Sequence, residues 1–406
     1  MKSPTYTIQY LEASPDLVRL ESKQVVRKLR SAVWQLPFTH LLIGWQVPLP
    51  LLDACRQEAD RLGLRFMRWQ PLLTGDGAIH PDISWQTVGL SGRKVLGYNG
   101  LPEFTFCCPN HPAVQEAIYA HLDTLISLGV YQGFFLDRVR FPSLTPDPLN
   151  DLSCFCQHCQ RKAAEIGLDL EGIRKEIVQQ TQDEDGRKSL IASLLSGKTD
   201  LSDSSDKPGI IQLLAFRKKT IYDFLAPLSQ RLRQAHLEIG LDCFSPCLMN
   251  MVGQDFRRLG ELTDWIKLMT YAHTDAPAGL PFELSGLARF LCKTTHLDER
   301  RTLEMVAQLI GLPLPTTLDS LEKDGLSPLA LQMEVHRGVE ACPVPVLAGL
   351  ELVELAGVTR LDPKQIQADL AAIKSARPAG LAISWDLLHI PLDRLKLVSP
   401  AALGSN

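Results

Sequence analysis

Three cysteines, Cys154, Cys156 and Cys159, stand within six residues in a Cys-x-Cys-x-x-Cys pattern. Thiolates at that spacing suit a single tetrahedral ion, and a closed structural zinc site takes four ligands. Cys107 or Cys108, upstream at the end of a long loop, can supply the fourth, and His158 inside the cluster is another donor. With all four positions filled the ion cannot hold water, so the zinc is expected to be structural and not catalytic. Just before the cluster, the apolar run Phe134-Phe135-Leu136 stops on Asp137, with Arg138 and Arg140 close behind. An apolar run ending on an acid reads as a buried strand that delivers a carboxylate to a pocket rim. The plainer reading makes Asp137 a helix cap or the partner of one of those arginines, and an arginine beside it would hold it ionised.

The elements that must position these groups follow from periodicity. Tyr6–Tyr10, Thr39–Val47, Leu64–Leu73, Gly133–Asp137, Ile239–Pro246, Trp265–Tyr271, Val344–Leu350 and Gly380–Trp385 read as eight strands. Helical patterns separate most of them, at residues 15–35, 51–62, 113–128, 210–237, 253–262, 298–310 and 363–375. Eight strands alternating with helices predict a (β/α)8 barrel, the TIM-barrel class of α/β fold. The rival, an open doubly wound sheet, lacks the glycine-rich phosphate loop expected after its first strand. The barrel is expected to occupy the whole chain, 1–406, as a single domain. Within it, residues 160–209, after strand four, form a charged, partly helical insertion ending in a flexible linker, SGKTDLSDSSDKPG. Residues 74–108 read as a long functional loop.

Chemistry in such a barrel sits at the carboxyl ends of the strands. Those ends carry Trp45, Trp69, Asp137, Asp242, Tyr271, Glu351, Trp385 and Asp386. Several carboxylates beside aromatic rings suit a sugar, whose C–H faces stack on rings while its hydroxyls take directional hydrogen bonds. Glycosidic cleavage needs one carboxyl group protonated and a second ionised. Asp137 is expected to serve as acid/base and Glu351, roughly across the mouth, as nucleophile. Arg140, Tyr271, Trp385 and Asp386 are the expected substrate contacts, although Asp386 also has the makings of a cap. Trp45, Trp69 and Trp85, taken singly, read as core.

Composition narrows the partners. The chain is 45% hydrophobic and 22% charged with a formal net charge of -4, which is ordinary globular composition without a basic footprint for nucleic acid. No run is long and apolar enough to span a bilayer. The N-terminus lacks the apolar stretch of a signal peptide, and ten cysteines without such a signal argue for reduced thiols. A cytoplasmic location follows as an expectation.

The segment Phe106-Cys107-Cys108-Pro109-Asn110, with Cys154-Phe155-Cys156-Gln157-His158-Cys159, resembles the structural zinc site of the glycoside hydrolase family 42 β-galactosidases. That resemblance implies Cys108, beside Pro109-Asn110, as the fourth ligand with Cys154, Cys156 and Cys159. The stretch GFFLDRVRFP is closer to bacterial glycoside-hydrolase-like barrels, which Pro281-Phe282-Glu283-Leu284 and Ala348-Gly349-Leu350-Glu351 also fit. The resemblance spans roughly residues 5–390, its specific motifs falling mostly between 104 and 160. It departs at strand four, where the galactosidases carry an Asn-Glu pair and this chain has Leu136-Asp137. Glu351 matches the family nucleophile by strand position alone. The expectation is therefore a carbohydrate-cleaving or carbohydrate-binding barrel with a structural zinc, β-galactosidase activity not following. A non-catalytic barrel that binds saccharide or protein is the alternative.

Overall fold

The computed structural model describes residues 4–77, 79, 82–145, 147–196, 207–359 and 361–398. Eight strands form the centre: β1 Thr5–Tyr10, β2 His40–Ile43, β3 Arg65–Pro71, β4 Gly133–Asp137, β5 Glu238–Phe244, β6 Trp265–Met269, β7 Val346–Glu351 and β8 Gly380–Ser384. Each pairs in parallel with the next, and β8 returns to β1 through Thr5–Gly380 and Ile8–Ile383, closing the barrel. Runs such as HLLI and GFFLD are buried along their whole length because parallel strands are covered on both faces. This is the (β/α)8 barrel that the alternation of elements implied.

Helices α1 Ser22–Gln35, α2 Leu49–Leu62 and α3 Pro112–Ser127 follow the first three strands. Five follow β4: α4 Pro148–Asp151, α5 Gln157–Ala164, α6 Leu170–Gln180, α7 Glu184–Leu195 and α8 Gly209–Gln234. After β5 comes α9 Phe256–Gly260. After β6 come α10 Leu280–Thr294, α11 Glu299–Ile310, α12 Leu318–Asp324 and α13 Pro328–Ala341. The last two are α14 Pro363–Ser375 and α15 Leu392–Leu397. Periodicity found α11 but passed over α10, which buries Pro281, Ser285 and Ala288 beside its Leu280, Leu284, Leu287 and Leu291 stripe and so keeps only a narrow polar face. In the 160–209 stretch, α6 packs on α8 and α7 on α10. Residues 197–206, most of the expected linker, lie outside the described residues. No described helix is long and apolar enough to cross a membrane.

The barrel interior is filled from alternate strand positions. Leu42, Met67, Phe135, Trp265, Leu347 and Ala382 form a buried cluster with Trp45 and Trp69. Phe135 and Trp265 stack with centroids 5.4 Å apart. Gly240 makes this possible, since a Cβ there would lie 2.3 Å from the Trp265 ring. Two residues beyond Phe135 and Gly240, the same inward face carries Asp137 on β4 and Asp242 on β5, so the packed floor ends where the carboxyl groups begin.

Candidate active site and thiol cluster

A cavity of about 250 Å³ opens above that floor, just below the range of drug-sized ligand sites, about 300–1,000 Å³. Asp137 and Asp242 line it with Arg140, and Trp69, Tyr271 and Trp385 give it aromatic walls. Gln9 from β1 contributes a polar patch, and Glu12 and Glu103 add carboxylates from the loops after β1 and β3.

Asp137, the last residue of β4, is 7% exposed. Its Oδ2 accepts from the Trp69 indole N–H at 3.0 Å and its Oδ1 from the backbone N–H of Arg138 at 2.6 Å. The arginine nearest to it is Arg138 and not Arg140: Arg138 Nε lies 4.0 Å from Asp137 Oδ2, a single long contact without bidentate geometry. Arg138 adopts a positive φ of 56° and pairs with Asp76, with Glu12 at 3.6 Å, while its guanidinium lies over the Trp45 ring at 5.4 Å. It thereby fastens the long β3–α3 loop to the strand that carries Asp137. Burial pushes Glu12 up to about 8, opposed by Arg138 and reinforced by Asp386, Asp137 and Asp76.

Asp242 sits one strand away. Its Oδ2 accepts from Lys267 Nζ at 2.9 Å, whereas its Oδ1 has no hydrogen-bond partner among the described residues. Burial pushes its carboxyl up to about 7; Lys267 opposes the shift and the charge of Asp137 adds to it. Lys267 is fully buried, donates also to Gln9 Oε1 at 2.8 Å, and lies 5.4 Å from the Phe135 ring and 5.3 Å from the Tyr271 ring. Gly349 on β7 leaves the space for this pair of side chains, since a Cβ there would approach Tyr271 Cε1 at 3.2 Å and Lys267 Cε at 3.4 Å.

The other residues singled out in the sequence are divided by the fold. Arg140, Tyr271 and Trp385 line the cavity. Arg140 is sandwiched between Phe106 at 4.5 Å and Phe244 at 4.4 Å, donates to Phe141 O at 3.1 Å, and has a buried Nε with no partner among the described residues. Glu351 does not line the cavity. It is 2% exposed, and its Oε1 accepts from the His273 backbone N–H at 2.7 Å. His273 Nε2 in turn lies 2.8 Å from Asp369 Oδ2. Burial pushes Glu351 up to about 7, with the His273 charge opposing. Asp386 lies outside the cavity lining too: it clamps the backbone N–H groups of Leu11 (3.0 Å), Glu12 (2.9 Å) and Leu388 (2.8 Å). Its capping alternative thus describes its contacts. Lys267 and Gln9 escaped sequence reading, yet each stands mid-strand in an apolar run, WIKLM and TYTIQY, at an inward position.

About the loops behind β4, the Sγ atoms of Cys108, Cys154, Cys156 and Cys159 all lie within 4.8 Å of one another. Cys108 and Cys159 approach to 3.4 Å, Cys156 and Cys108 to 3.5 Å, and none of the four is in a disulfide. Cys107 is not part of the group; it is buried, with its N–H on Leu73 O. Asn110 Nδ2 donates to Cys159 Sγ at 3.3 Å and Val88 N to Cys154 Sγ at 3.4 Å, the sulfur-directed donors that accompany thiolate sites. Four soft donors converging in a mostly buried position are compatible with a metal ion.

No protein-family model matches the sequence, and no curated protein matches it. Solved structures share its fold. The PgaB glycoside hydrolase domain from Bordetella bronchiseptica is 12% identical with a TM-score of 0.52, over 97% of this chain and 98% of that one. A class V chitinase from Pseudomonas fluorescens (10% identity, TM-score 0.48, 97% and 99% covered) and a chitinase from Chromobacterium violaceum (10%, 0.47, 100% and 100%) align along their length as well. At 12% identity the likeness to the PgaB domain shows the fold alone.

Proposed function

We propose that this barrel hydrolyses a glycosidic bond, with Asp242 as the proton donor and Asp137 as the nucleophile. The observation that carries the reading is the buried Asp242 carboxyl, one oxygen held by Lys267 and the other unpartnered among the described residues, in a cavity shared with Asp137. A carboxyl pushed up to about 7 holds a proton near neutrality, as an acid must. Asp137 accepts hydrogen bonds on both oxygens, which suits a group that attacks. The two stand on neighbouring strands, about 4.8 Å apart in such a sheet. Neighbouring backbones keep the two carboxyl groups on one side of the cavity, a placement closer to the about 5–5.5 Å separation of retaining enzymes than to the wider spacing of inverting ones, which the anomer released would test. Tyr271 and Trp385 offer stacking surface, and Arg140 a guanidinium with an uncommitted buried N–H. Asp137 thus moves from the acid/base role expected of it to the nucleophile role that strand position alone gave to Glu351, which is engaged by the His273 backbone and does not line the cavity, and Asp242 takes over as acid. That the PgaB domain bears the name glycoside hydrolase agrees with this reading.

The four-cysteine group is assigned a structural zinc, held by Cys108, Cys154, Cys156 and Cys159. A closed set of this kind would join the β3–α3 loop to the segment before α5, so its task is to hold the cavity's surrounding loops and not to activate water. Ten unpaired cysteines support a reducing, cytoplasmic setting. The non-catalytic alternative draws on the Lys267–Asp242 ion pair, which competes with proton donation. The test is a screen of aryl glycosides and oligosaccharides with the purified protein, following the anomer released by NMR. Turnover with retained configuration supports the proposal. Saccharide binding without turnover favours the alternative, and turnover with inversion removes Asp137 as nucleophile.

A further inference from the structure

Arg217 on α8 is fully buried, and its Nε, Nη1 and Nη2 atoms have no hydrogen-bond partner among the described residues. A guanidinium taken out of water without a counter-charge is strongly destabilising. Its stacking on the Phe141 ring at 4.6 Å recovers only part of that. Cys154 and Cys159, two members of the thiol cluster, are the groups whose ionised forms would offset the burial of this guanidinium.

We propose that Arg217 is the charge-compensating residue of a tetrathiolate metal complex at Cys108, Cys154, Cys156 and Cys159, and that its stack on Phe141 connects that complex to the cavity. This rests on the zinc reading above. Four neutral thiols would leave the guanidinium unmatched. Four thiolates around one divalent ion carry a net charge of minus two, which Arg217 halves. The donors Asn110 Nδ2 and Val88 N, each within 3.4 Å of a sulfur, spread the rest. The same helix binds the cluster a second time, since Asn110 Nδ2 also lies 3.3 Å from Thr220 Oγ1. On the far side, Phe141 O accepts from Arg140 Nη1 at 3.1 Å, and Arg140 lines the cavity. Phe141 and Arg217 are packed without slack around Gly253, where a Cβ would meet Phe141 Cδ2 at 3.0 Å and Arg217 Cβ at 3.2 Å. The metal complex therefore stabilises a positive charge on α8, and α8 holds the residue that positions Arg140.

The experiment uses the full chain loaded with zinc, comparing wild type, Arg217→Met, Arg217→Lys and Arg217→Gln. Metal content and the rate of zinc release to a chromophoric chelator are measured, with circular dichroism to establish folding. Loss of a neighbouring group of this kind weakens metal sites by about 10–100-fold, so the methionine variant should release zinc faster by that factor. The lysine variant, which keeps the charge, should fall closer to wild type. A folded methionine variant that releases zinc at the wild-type rate overturns the proposal. If the methionine variant does not fold, equal release rates for the lysine and glutamine variants overturn it. Wild-type protein that takes up no zinc removes the zinc reading itself, an outcome visible without any variant.

Discussion

Replacing Lys267 by Met isolates the electrostatics of the proposed acid without requiring a substrate. Lys267 Nζ lies 2.9 Å from Asp242 Oδ2, and both groups are buried. Coulomb's law at an effective dielectric constant of about 20 gives the pair about 5–6 kcal/mol, equivalent to about four pH units. Relaxation and entry of water into the smaller side chain's space halve this, leaving an upward shift of about two units for Asp242. The sign then follows. A carboxyl whose folded value is raised contributes most stability at low pH and loses it as pH climbs through the folded value. In wild type that loss ends near 7, where Asp242 ionises in the folded protein. In Lys267→Met it continues to about pH 9, at about 1.4 kcal/mol per unit. Urea unfolding from pH 5 to 9 should therefore show a difference between the two proteins that is flat below 7. Above 7 it should widen to a total of about 3 kcal/mol. Curves that stay parallel across pH 7 would refute the assignment of Asp242 as a carboxyl held neutral by burial and offset by Lys267.

Wild-type kcat/KM should fall as pH rises through about 7, because Asp242 must be protonated to donate; a rate that climbs through the same range would make it a base. Asp386→Ala should cost about 3 kcal/mol or more in urea unfolding, since three backbone N–H groups lose a charged acceptor; a loss under 1 kcal/mol would mean that the clamp contributes little. Cys108→Ser should lose bound zinc and lower the melting temperature together, and a variant that keeps both would show that Cys108 is no ligand.

The barrel was legible because its strands are short apolar runs bounded by helical patterns, and even TYTIQY, the weakest of them, closes on β8. Asp137, Cys154, Cys156 and Cys159 were legible from local context, an acid ending a buried run and thiols at ligand spacing, whereas Cys108 was singled out from Cys107 only by the resemblance of Cys108-Pro109-Asn110. Glu351 and Asp386 were harder, since a strand-end position says nothing of what the next loop does with the carboxyl. His273, from the loop after β6, supplies the N–H that engages Glu351, and the chain after β1 supplies two of those that engage Asp386. Asp242 had the right position and an apolar lead-in, Ile239-Gly240-Leu241, but the strand continues past it through Cys243 and Phe244, so no run stops on it. Its importance comes from Lys267, 25 residues away and directly opposite it on the next strand, a partnership set by the β5–β6 register.

Turnover of a responsive glycoside by wild type, Asp137→Asn, Asp242→Asn and Glu351→Gln tests the central claim most directly. Both aspartate variants should fall by about 10²–10⁴-fold or more, the usual worth of such groups, while Glu351→Gln stays within a few-fold of wild type. An inactive Glu351→Gln beside a fully active Asp242→Asn would contradict the claim.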